Sequence, residues 1–93
     1  MEVEREMTFR GKYIEDIPNA LERAKRFITK KPEKNYWRFT YVSLTDKDGV
    51  DHHISEGTYD VTSMDSLFDK AEKMASGIKS LDRYYISVSI KRK

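Results

Sequence analysis

The chain predicts an α+β fold of order β-α-β-β-α-β, a ferredoxin-like plait with two helices on one face of a four-stranded antiparallel sheet. Three observations carry that expectation. Two stretches place apolar residues at helical spacing, three alternate with period two, and a Gly-bearing turn after the second of these implies a returning hairpin strand. In such a plait the first and last strands are expected at the centre. The 93 residues include only four Gly and two Pro, each near an element boundary, so 1–93 reads as one domain with 1–6 and 92–93 fraying.

Residues 7–14 open the pattern, with Met7, Phe9, Gly11 and Tyr13 opposed to Thr8, Arg10 and Lys12. That is a strand with one buried face. A helix follows from Asp16 or Ile17, with Pro18 in its first turn, where a missing N–H costs nothing. Ile17, Ala20, Leu21, Ala24, Phe27 and Ile28 make its apolar stripe, and Lys30-Lys31-Pro32 ends it with cations at the negative pole of the dipole. Residues 36–45 form the second strand. The bulk of Trp37, Phe39 and Tyr41 directs them to the helix side, leaving Arg38, Thr40 and Val42 on the other.

Asp46-Lys47-Asp48-Gly49 reads as a turn with Gly at a positive φ, so residues 50–56 return as a hairpin partner and 57–61 as a loop or a short strand extension. Thr62-x-x-Asp65 resembles a capping box at the start of the second helix. Met64, Leu67, Phe68, Ala71, Met74, Ala75 and Ile78 form its stripe, and Gly77 is placed as a left-handed terminator. Tyr84, Ile86, Val88 and Ile90 then alternate with Tyr85, Ser87, Ser89 and Lys91, the clearest strand in the chain.

The absence of cysteine removes disulfides, thiolate metal sites and a thiol nucleophile together. No apolar run approaches the roughly 20 residues of a membrane span, and no signal-peptide core is visible, so a cytoplasmic protein without membrane contact is expected. His52 and His53 point to opposite faces of a strand and cannot share one ion; Asp51, His53 and Ser55 on one face form only a weak donor set. No serine elbow or Gly-rich phosphate loop is present. Acylphosphatases share this element order, but their first strand–helix junction carries an arginine, whereas here it reads Tyr13-Ile14-Glu15-Asp16-Ile17-Pro18. No catalytic role, metal or cofactor is therefore expected.

Charge patterning is more informative. The formal sum of +2 conceals +4 over 17–34 and +4 over 79–93, against −5 over 46–70. Arg23, Arg26 and Lys30 form a basic stripe on the first helix, with Lys25, Lys31 and Lys34 nearby, and Asp65, Asp69 and Glu72 an acidic row on the second. Those rows either pair weakly with each other or meet a partner of complementary charge. The leading expectation is a small non-catalytic protein-binding module, an inhibitor or adaptor of the kind found in phages and mobile elements. It would use Arg23, Arg26, Lys30, Asp65 and Asp69, with Tyr59 as an exposed anchor, on a larger protein or a second copy of itself. The alternative is nucleic-acid binding through the basic helix and tail, with contacts from Arg10, Lys12, Arg38, Lys91 and Arg92. Base stacking on the sheet, as in the RNA-recognition version of the plait, is not expected, because Phe39 and Tyr41 are assigned to the helix side.

Overall fold

The computed structural model describes residues 2–30 and 35–92. The order along the chain is β1 (Glu2–Gly11), a short 3-10 turn (Ile14–Asp16), α1 (Ile17–Thr29), β2 (Tyr36–Asp46), β3 (Asp51–Thr58), α2 (Val61–Ser76) and β4 (Leu81–Arg92). All neighbouring strands are antiparallel, in the order β1-β4-β2-β3. β1 and β2 therefore run parallel with β4 between them, and β3 and β4 run parallel with β2 between them. Two split βαβ units interleave, a plait-like arrangement. The expectation of a central last strand holds, but β1 lies at an edge and β2 takes the other central place.

The helices pack on one face of this sheet and on each other. Ile17, Leu21, Ala24 and Ile28 of α1 meet Met64, Leu67, Phe68 and Ala71 of α2 and the inward row Ile86, Val88 and Ile90 of β4 in a single cluster. Burial at roughly 25 cal/mol per Å² of apolar surface makes this cluster the main stabilising element. α1 begins as expected, with Asp16 at its cap and Pro18 in the first turn. Lys30 stands at its C-cap, while Lys31, Pro32 and Lys34 lie outside the described residues.

Local chemistry moved several boundaries. β1 reaches back to Glu2 because β4 extends to Arg92 and supplies partners through a register shift between Val3 and Arg5. The segment expected to fray is thus paired. α2 is capped by Asp60, whose carboxylate accepts from Thr62 N–H and from the Ser63 hydroxyl, both at 3.0 Å, rather than by Thr62. Gly77 ends α2 at φ −86°, with its N–H bonded to Met74 C=O, so no left-handed residue is needed there. Gly49, by contrast, sits at φ +85° in the 46–49 turn, where a side chain would be strained.

The largest departure is in β2. Tyr36, Arg38, Thr40, Val42 and Leu44 face the helices, and Trp37, Phe39, Tyr41 and Ser43 face away. Register explains the inversion: Val42 sits between Ile86 on β4 and Ile54 on β3, and Leu44 is opposite Tyr84, so the aliphatic rows coincide only in this phase. Thr40 and Arg38, the inward polar residues of this row, both make hydrogen bonds. Thr40 Oγ1 donates to Met64 Sδ at 3.0 Å. Arg38, completely buried, donates from Nε to Ile28 C=O at 2.9 Å, and from Nη1 to Tyr36 C=O at 3.1 Å and Tyr59 C=O at 3.3 Å. Its guanidinium thereby ties the last turn of α1 to the start of β2 and the entry to α2, with a cation at the negative end of the α1 dipole.

Candidate functional site

Alternation along the two central strands builds the open face. β2 contributes Trp37, Phe39, Tyr41 and Ser43; β4 contributes Tyr85, Ser87, Ser89 and Lys91. β1 adds Glu6, Thr8 and Arg10 opposite Ser89, Ser87 and Tyr85, and β3 adds Asp51, His53, Ser55 and Gly57. Phe39, Tyr41, Ser43, Tyr85 and Ser87 line one shallow depression in the middle of the sheet. Phe39 is 38% exposed, a large apolar ring offered to solvent from a central strand. Tyr41 packs edge-on against Tyr85 at 6.0 Å and nearly parallel to the His53 ring at 6.5 Å.

The rings are held from the sides. Trp37 lies across Gly57 on β3, where any Cβ would collide with its indole, and it meets Tyr59 edge-to-face at 4.9 Å. A glycine is thus required there by close approach. Arg10 places its guanidinium 5.0 Å above the Tyr85 ring, a cation–π contact on the β1 side of the depression. Lys91 lies at the far end of the same face of β4, half-buried, with Arg92 exposed beside it. Asp51, at the hairpin end, accepts from the Ser43 hydroxyl at 2.6 Å and lies 3.5 Å from His53 Nδ1.

Among the described residues, three ionisable groups are displaced from their ordinary ranges, none on this platform. Asp46 is lowered by its hydrogen bond with His52 at 3.0 Å and by the Val50 and Asp48 amides, which together close the hairpin turn. Asp60 is lowered by the Ser63 hydroxyl and the Thr62 amide at the α2 cap. Burial pushes the Tyr84 phenol up, and the nearby Asp16 carboxylate adds to the effect.

Of the residues expected to touch nucleic acid, Arg10 and Lys91 share the open face and Arg92 is exposed at the end of β4. Lys12 lies past the end of β1, its Nζ 5.8 Å from the Tyr13 ring. Arg38 leaves the set, because a fully buried guanidinium bonded to three carbonyls cannot reach a phosphate. Tyr59 is half-buried against Trp37. Arg23, Arg26 and Lys30 stand exposed along α1; Asp69 is exposed and Asp65 half-buried on α2. Among the described residues no ion pair joins the two helices, so the intramolecular pairing of their charge rows does not occur there. The rings missed as site candidates are Phe39 and Tyr41 on β2 and Tyr85 on β4. Ile54, the one aliphatic side chain of β3, was the available signal: its pairing with Val42 sets the outward phase of β2.

No protein-family model matches the chain, and no curated protein matches it.

Proposed function

We propose that the protein binds single-stranded nucleic acid on the open face of its sheet. One observation carries this reading: solvent-facing aromatic rings sit on both central strands, Phe39 and Tyr41 on β2 and Tyr85 on β4, in one depression. A ring on a sheet without a covering layer is costly to leave in water unless something stacks on it, and every base has a face that can. Two or three bases suit a four-stranded sheet used in this way. Ser43 and Ser87 supply hydroxyls beside the rings, and Arg10 and Lys91 supply cations at the two ends. Duplex suits this face less well, because stacking on the rings needs unpaired bases.

Fluorescence anisotropy with labelled mixed-sequence single strands of RNA and DNA tests this. Binding is expected at low salt, weakening as salt rises, with duplex of the same sequence bound less well. A protein that binds none of them at about 50 mM salt, where phosphate contacts are strong, does not act in this way.

A second reading concerns the helix side of the sheet. The acidic row Asp65, Asp69 and Glu72 on α2 would repel phosphate, and its carboxylates have no ion-pair partners among the described residues. It suits a basic protein surface, and so keeps a protein-binding role for α2. Loss of a co-purifying partner on D69K/E72K substitution, with oligonucleotide binding intact, supports that role.

A further inference from the structure

We infer that the groove between β1 and α1 is a second phosphate site, taking the sugar–phosphate backbone of the bound strand after it crosses the β1 edge. This rests on the open-face reading above. The groove has a volume of about 590 Å³, with Arg5 of β1 facing Arg23, Arg26 and Lys30 of α1 over a floor of Met7 and Phe27. Because β1 is an edge strand, its two faces meet at a free margin. Thr8 and Arg10 lie on the open side of that margin and Arg5 and Met7 on the groove side, so a chain leaving Arg10 reaches the groove by passing over one strand.

Phe27 lines the groove and Phe9 follows Met7 on the same face of β1, and both rings pack against the core. Arg5 stacks 5.1 Å over Phe27, and Arg23 5.3 Å over Phe9. With the core on one side and a guanidinium on the other, neither ring offers a free face to a base, whereas Phe39 on the platform is exposed. Each guanidinium is in turn oriented by its ring, with its N–H edges left for an oxygen acceptor, the planar fork that suits phosphate. Competition from carboxylates is slight. Arg26 meets Glu22 at 3.6 Å with both side chains largely exposed, and among the described residues no ion pair involves Arg5, Arg23 or Lys30. The platform thus holds bases and the groove holds charge.

The test compares labelled single-stranded RNA of about 4 and about 12 nucleotides, bracketing a short and a long site, on wild type and on R23E/R26E, with R23Q/R26Q as a milder pair. The short strand fills the platform alone, so its affinity should be the same in all three proteins. The long strand should bind more weakly to both variants, and more so to R23E/R26E. Between about 50 and about 200 mM salt its affinity should fall about 7-fold less than in wild type, the effect of losing two phosphate contacts on a single strand. Equal affinity and salt dependence for the long strand in all proteins overturns the groove site and leaves the platform standing. Equal weakening of both lengths also overturns it, because a general charge effect then suffices. Failure of wild type to bind either length overturns the platform, and the groove assignment with it.

Discussion

Replacing Arg38 by alanine removes the donor for three main-chain carbonyls at once, those of Ile28, Tyr36 and Tyr59. Each buried carbonyl left without a donor costs about 1–3 kcal/mol, though the loss is shared where water can enter. The Tyr59 bond is the longest of the three at 3.3 Å and only partly buried, so it contributes least. The two shorter bonds come from a charged donor and are worth about 1.5–3 kcal/mol each, so the expected loss is about 3–6 kcal/mol. For a domain of this length it corresponds to about 12–48 °C in melting temperature. Arg38→Lys keeps the charge but not the fork and should fall between alanine and wild type. Urea unfolding followed by the fluorescence of the sole tryptophan, Trp37, and by far-ultraviolet circular dichroism measures both variants. An alanine variant within about 0.5 kcal/mol of wild type, the range of an ordinary surface change, would refute the structural role given to this guanidinium.

Other expectations concern the platform, its support and pH. Phe39→Ala and Tyr41→Ala should each weaken single-strand binding by about 1–3 kcal/mol, with little change in fold stability or in the salt slope; anisotropy at two salt concentrations checks this. Gly57→Ala forces the Trp37 ring off β3 and should destabilise the protein by about 1–3 kcal/mol while shifting Trp37 emission toward the solvent-exposed value. The carboxylates of Asp46 and Asp60 are depressed below 3.8 in the folded state, so the stability they contribute is complete above that value and lost as pH falls through their folded values. Tyr84 behaves oppositely: its phenol is raised above 10.0, so its contribution is complete below pH 10.0 and lost as pH rises through the folded value. Urea midpoints measured across pH should show both branches, the acid one flattened in D46N/D60N and the alkaline one in Tyr84→Phe.

Much of the fold was legible because its signals are local. The stripes of α1 and α2 and the alternation of β4 are set by burial of adjacent turns or pleats, and each appears where the spacing places it. The 46–49 turn follows from Gly49 alone. The phase of β2 was not legible from β2 itself, because Trp37, Phe39 and Tyr41 outweigh Val42 and Leu44 in bulk. Its phase is decided by cross-strand partners, Ile54 and Ile86, and by a buried arginine whose acceptors lie far along the chain in α1 and the β3–α2 connection. The strand order was likewise non-local, since either central pair satisfies the same element sequence. Inverting β2 changed the site most, converting a polar open face into one with a row of aromatic rings.

Where a bound strand lies is read most directly by amide chemical-shift mapping during titration with a single-stranded RNA of about 4 nucleotides. Amides of residues 39–43 on β2 and 85–89 on β4 should shift together and saturate at one equivalent, while those of 65–72 on α2 stay in place. Shifts confined to α2, or none on the two central strands at saturation, would contradict binding on the open face.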